Sequence, residues 1–151
     1  MHIWVDADAC PKPIKDILFR AAARARVSMT LVSNKPLRTP SSPHVHHMRV
    51  AAGLDEADRR ILEMVADGDL VVTADVPLAA RAVEKGAVAL NPRGDLYTED
   101  NIGERLAVRN FMDDLRGGGV NTGGPPVLHR RDLQAFANQL DRWLARQRGD
   151  R

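Results

Sequence analysis

DLVVTADVPLAARAVEKGAVAL, residues 69–90, reads as a strand, a helix and a second strand in immediate succession. The run at 69–73 is apolar, β-branched and too short for a helix, so it predicts a buried strand. Pro77 suits the first turn of the helix that follows at 76–85, where a missing N–H removes no hydrogen bond. Gly86 stands where a left-handed residue closes that helix, and 87–90 returns to an apolar run. Two strands joined through a helix pair in parallel, because only a crossover of this length brings the chain back to the same end.

The same alternation extends outward. Upstream, residues 3–5 predict a strand, 11–26 a helix with Ile14, Ile17, Leu18 and Ala21 at helical spacing, 28–33 and 44–50 two more strands, and 55–66 a helix carrying Ile61, Leu62 and Val65. Downstream, helices are predicted at 99–115 and 130–146, the latter with Leu133, Phe136, Ala137, Leu140 and Leu144 on one stripe. The order βαββαβαβ predicts an α/β fold: a three-layer α/β/α sandwich around a mostly parallel sheet of about five strands. The glycine-rich RGGGVNTGGPP at 116–126 lacks the Lys-Ser/Thr ending of a phosphate loop and reads as a flexible connection. It is too short to separate domains, so residues 1–151 are expected to form one, with both late helices packed on it.

Composition narrows the function. A chain of 151 residues with 44% hydrophobic and 28% charged residues can bury its own core, and at 4% aromatic that core must be aliphatic. The single cysteine, Cys10, excludes an internal disulfide and any multi-cysteine zinc site. Neither a signal peptide nor a membrane-length apolar run is visible, so a cytoplasmic protein is expected. The net charge of +2 covers a basic C-terminal part, with Arg130, Arg131, Arg142, Arg146 and Arg148, that could meet phosphate.

In an open parallel sheet, functional groups collect beyond the C-terminal ends of the strands. Asp6 and Asp8 leave the first strand there, Asp75 leaves the fourth through Thr73-Ala74-Asp75, and Asp55 and Asp58 open the helix before that strand on one shared face. Crowded carboxylates repel, and a hard divalent cation removes the cost, so Mg²⁺ or Mn²⁺ is the expected cofactor. Asp55 and Asp75 are also plausible helix N-caps. Asp6 has no such structural use, since a carboxylate ending a central strand is costly unless it works. Lys35, Arg38 and Arg93, in loops after strands, and Arg109, within a helix, could position a phosphate backbone. Cys10 reads as a packed small hydrophobe, and His44, His46 and His47 as a solvated strand edge.

HIWVDADACP (2–11), GLDEADRRILEMVADGDLVVTADVPLA (53–79), NPRGDLYTEDNIGERLAVR (91–109) and the late GGP (123–125) closely resemble the bacterial YaiI/YqxD family over nearly the whole chain. That family is itself similar to PIN domains, metal-dependent nucleases with a parallel sheet and an acidic pocket. The resemblance implies that Asp6 matches the aspartate ending the first PIN strand, that Asp58 and Asp75 match the later pair, and that Thr73 matches the hydroxyl residue of the turn. PIN nucleases usually carry a further mid-chain acid, but residues 27–54 hold no Asp or Glu. Asp8 or Asp55 is left to take that place.

The leading expectation is a Mg²⁺- or Mn²⁺-dependent nuclease-like domain hydrolysing RNA, rather than DNA, or another phosphodiester. Asp6, Asp58 and Asp75 would be ligands and Asp8 a ligand or a water-orienting base. One alternative is an aspartate-nucleophile phosphatase of the haloacid-dehalogenase kind, since D-A-D after a first strand and the later V-V-T resemble its motifs. The other is a non-catalytic regulator that binds nucleic acid or a nucleotide.

Overall fold

A computed structural model describes residues 1–53, 55–117 and 127–149. In chain order the elements are β1 (His2–Asp6), α1 (Lys12–Ala25), β2 (Ser28–Ser33), β3 (Val45–Arg49), α2 (Glu56–Met64), β4 (Leu70–Val72), α3 (Val76–Glu84), β5 (Val88–Leu90), β6 (Leu96–Tyr97), α4 (Ile102–Gly117) and α5 (Arg130–Gly149). The strands form one sheet in the order β3-β2-β1-β4-β5-β6. All neighbours are parallel except β5 and β6. The expected α/β architecture with a mostly parallel sheet is what the chain adopts. The sheet has six strands instead of about five, because Leu96–Tyr97 turns back against β5 and covers its edge. Two residues carry no periodicity, which is why this strand is invisible in the sequence.

Alternation along each strand assigns the helices to two faces. Ile3, Val5, Met29, Leu31, Leu70, Val72 and Leu90 pack with Ile14 and Leu18 of α1 and with Phe136 and Leu140 of α5. Trp4, Val32, Val71 and Ala89 point the other way, to Ile61 of α2, Leu78 and Ala82 of α3 and Ile102 of α4. The three layers are thus α1 and α5, the sheet, and α2, α3 and α4. The core is aliphatic, as the composition requires, with Phe136 the one aromatic among its largest fully buried side chains.

Some boundaries move for local reasons. Pro11 is the extended residue before α1, and Pro13 takes the tolerated place in its first turn. Residues 98–101 form a turn in which Asn101 Oδ1 accepts from Thr98 N at 2.9 Å, so α4 starts at Ile102 instead of 99. Of the glycine-rich stretch read as a flexible connection at 116–126, Arg116 and Gly117 end α4, and 118–126 lie outside the described residues.

A buried carboxylate at the N-terminal end of the sheet has a structural use. Asp69 accepts from His2 N (3.1 Å), Trp4 Nε1 (3.0 Å) and Ala66 N (2.9 Å), tying the start of β1 to the turn before β4. With three donors its charge is satisfied, and nothing is left over for chemistry. Working groups belong to the other end.

Candidate functional site

The chain leaves β1 toward β2 and β3 on one side and returns to β4 and β5 on the other. The direction of winding therefore reverses between β1 and β4, and in open α/β sheets the crevice beyond that switch point is where ligands bind. Register fixes what stands there. Val5 pairs with Val72, so the next residues, Asp6 and Thr73, are neighbours. Both continue the alternation toward the α2–α3 face. Thr73 Oγ1 donates to Asp6 Oδ2 at 2.9 Å and accepts from Asp75 N at 3.0 Å. Thr73 is 1% exposed and Asp6 8%. The hydroxyl thus spans two strands and holds both aspartates in place.

Asp75 is the N-cap of α3, its Oδ1 accepting from Leu78 N at 3.1 Å. This cap is as expected, and it fixes the carboxyl beside the sheet end. Asp55 occupies the N-cap position of α2 without capping it: its side chain makes no cap hydrogen bond, and its backbone is left-handed at φ 64°. For a residue other than glycine that conformation costs free energy and often marks a working loop. Asp58, in the first turn of α2, is half-buried and its carboxyl meets that of Asp75. Asp8 lies on a 3-10 turn after β1, exposed, and its Oδ2 accepts from Asn34 N at 2.8 Å. It therefore anchors the loop leaving β2.

Burial and neighbouring charge raise the proton affinity of two of these carboxyls, Asp6 and Asp58. Burial pushes Asp6 above the usual carboxylate range, against the Thr73 hydrogen bond, with the charges of Asp75 and Asp8 adding to the rise. Burial, then the neighbouring Asp75, Asp6 and Asp55, push Asp58 up to about 7. Asp58 is thus, of these two, the carboxyl that ionises less readily as pH rises toward neutrality. All five aspartates from the sequence stand in one electrostatic neighbourhood. Among the described residues no three His, Cys, Asp or Glu side chains form a ready-made metal-holding group.

The sign of the pH effect follows. A carboxyl whose folded pKa exceeds its unfolded value of 3.8 takes up a proton on folding, so its ionisation destabilises the fold as pH rises from about 4 to about 7. Asp58→Asn should therefore stabilise the metal-free protein at pH 8 and leave it unchanged near pH 4. The side chain is substantially solvated, and screening reduces the gain to on the order of 1 kcal/mol, a melting shift of roughly 2–4 °C. Thermal melts in EDTA at the two pH values check this; equal melting of variant and wild type at pH 8 contradicts it.

The basic candidates divide. Lys35 and Arg38 are exposed in the β2–β3 loop, near the Asp8-bound Asn34. Arg93 has a structural use: its Nη1 donates to Asp132 Oδ2 at 3.1 Å, while His129 N donates to the same oxygen at 2.8 Å, so it pins the start of α5 to the β5–β6 turn. Arg109 pairs with Asp113 at 3.0 Å and lines a cavity with Val76, directly after Asp75. Cys10 is buried and its thiol is pushed up to about 12 by desolvation, a packed group rather than a nucleophile. His47 Nε2 is hydrogen-bonded to Ser33 Oγ at 2.7 Å on the sheet's edge strand. The sequence reading missed Arg49, whose Nε donates to Asn34 O at 3.4 Å. As the last residue of β3, it obeys the same strand-end rule that selected Asp6.

Among the described residues no helix is long and apolar enough to cross a membrane. No solved structure matches the chain. The family model described as "Uncharacterized BCR, YaiI/YqxD family" matches residues 4–146. A "UPF0178 protein" of Syntrophotalea carbinolica is 63% identical, over 97% of this chain and 99% of its own length. Those of Hydrogenovibrio crunogenus and Xanthomonas campestris pv. campestris are 60% and 62% identical, over 97% of this chain and 97% and 91% of their own lengths. Asp6, Asp58, Thr73 and Asp75 all fall within the matched span, and the chain belongs to the YaiI/YqxD family.

Proposed function

We propose that this chain is a divalent-metal-dependent phosphodiester hydrolase of PIN-like character acting on single-stranded RNA, with its centre at Asp6, Asp58 and Asp75. The observation that carries the reading is geometric: at the switch point of the sheet the buried Thr73 hydroxyl ties Asp6 to the Asp75 turn, and Asp58 of α2 packs its carboxyl against Asp75. A fold that gathers negative charge against its own stability at the position where α/β sheets bind ligands is built for a cation. The donor set fits Mg²⁺ or Mn²⁺: it is all carboxylate oxygen, suited to hard ions that retain waters. Asp6 has one oxygen on Thr73 and Asp75 one on its cap, so each keeps a second oxygen for which no protein hydrogen bond is seen among the described residues.

Asp6, Asp58 and Asp75 would hold the ion, with Asp58 ionised. The bound ion supplies an activated water and neutralises charge on the phosphate. Thr73 keeps Asp6 and the Asp75 backbone in register, so two ligands come from a rigid sheet end. Asp55, exposed at the mouth and a charge neighbour of Asp58, would orient a water. Asp8, tied to Asn34, shapes the opposite rim.

The direct test is incubation of nuclease-free protein with end-labelled single-stranded RNA in Mn²⁺, Mg²⁺ or EDTA. Cleavage with either metal and none in EDTA is the expected result. RNA retained in EDTA, released by salt and never cut would make the chain a binding protein instead. Neither binding nor cutting would remove RNA as its substrate.

A further inference from the structure

A groove leads away from the carboxylates between α2 and α3. Its volume is about 380 Å³; Asp55, Asp58 and Leu62 line the α2 wall and Arg81 and Lys85 the α3 wall. Asp58 and Leu62, like Arg81 and Lys85, are four residues apart and so face one side of their helices. Both helices start at the C-terminal end of the parallel strands, so Asp55 and Asp58 stand at the mouth and Arg81 and Lys85 further along; Glu56 and Glu63, which also line the groove, are paired with Arg59 and Arg60.

The cations of this groove are not equivalent. Lys85 Nζ donates to the carbonyl of Leu62, bridging the helices at the far end. Arg59, on the groove's rim, is paired with Glu56. Arg81 is exposed and makes no hydrogen bond or ion pair among the described residues. It sits five residues beyond the first residue of α3, about 7.5 Å along the axis at 1.5 Å per residue. Its side chain therefore lines the groove beyond the carboxylates at the helix starts.

We propose that Arg81 binds the phosphate adjoining the scissile one, making the α2–α3 groove a backbone subsite for a single-stranded polynucleotide. The inference rests on the hydrolase reading above. A planar guanidinium grips phosphate oxygens in pairs, which an ammonium cannot do. The acidic mouth repels any anion not already neutralised by a cation, so the substrate can lie in only one sense: reacting phosphate at Asp58, next phosphate at Arg81. The volume is at the small end of ligand pockets and admits about one nucleotide unit, not a duplex.

Initial rates of Mn²⁺-dependent cleavage of a fluorescein-labelled oligouridylate, measured across a series of salt concentrations, test this. Arg81→Ala should raise KM roughly tenfold, leave kcat within about twofold, and lower the salt slope of 1/KM by about one. Arg81→Lys should restore the salt slope but only part of KM, since charge returns without the fork. Melting temperatures of both variants should equal wild type, because Arg81 is exposed. Wild-type KM and salt slope in Arg81→Ala, with cleavage intact, would overturn the subsite and leave the carboxylate centre standing. Absence of metal-dependent cleavage in the wild type itself would remove the hydrolase reading and this inference with it.

Discussion

On the proposed function, Asp6→Asn should reduce metal-dependent RNA cleavage by on the order of a hundredfold to a thousandfold and abolish the rise in melting temperature expected of the wild type with Mn²⁺. The substitution keeps shape and one acceptor oxygen, so the Thr73 hydroxyl can still donate as it does to Asp6 Oδ2. It removes a charge that burial and the neighbouring Asp75 and Asp8 already disfavour. The metal-free variant should accordingly melt no lower than wild type. Loss of activity at equal or greater stability is the signature of a group retained for function at the fold's expense. Melting curves with and without Mn²⁺, beside the cleavage assay, separate this from simple unfolding. A variant that loses activity only because it has unfolded would contradict the account.

The second large effect is structural. Gly94, in the turn between β5 and β6, has φ 92°, and a Cβ there would lie 2.6 Å from the Ala135 carbonyl carbon and 2.7 Å from Phe136 N. That backbone belongs to α5 and cannot retreat: Phe136 is fully buried, and Arg93 holds Asp132 one turn earlier. Gly94→Ala should combine left-handed strain with overpacking, at a cost of about 3 kcal/mol or more. In a domain of this size the melting temperature falls by roughly 6–12 °C. Gly68→Ala is the control. Gly68 also has a left-handed φ, 86°, but a Cβ would meet nothing within 4 Å, so strain acts alone and the cost is about 1 kcal/mol. Equal melting of the two variants would show that packing against α5 is not what demands glycine at 94.

The legible parts of this molecule are those set by short-range pattern. Alternating apolar runs and helical stripes disclose the parallel sheet, and the end of an apolar run discloses Asp6 and Asp75, because a strand that stops in a carboxylate announces its edge. What depends on distant packing is hidden. Asp58 is a first-turn helix residue by sequence; its raised proton affinity arises only because α2 packs it into the site beside Asp75. Arg93 reads as a loop cation until Asp132, far along the chain, takes its guanidinium. The use of Asp69 as a latch for Trp4 and His2 spans a longer gap still. Arg109 is the opposite case, since its partner Asp113 sits at the i+4 position where the sequence already offers it. Arg81 drew no attention because nothing local distinguishes an exposed helical arginine from one facing a groove.

The central claim is that the aspartates at the switch point hold a divalent cation with coordination positions to spare. Anomalous diffraction from crystals soaked in Mn²⁺ near pH 8, where Asp58 is ionised, tests it most directly. The expected result is a peak bounded by Asp6, Asp58 and Asp75, with water completing the shell. A peak fully enclosed by protein ligands would make the ion structural, and no peak there at saturating Mn²⁺ would contradict the claim.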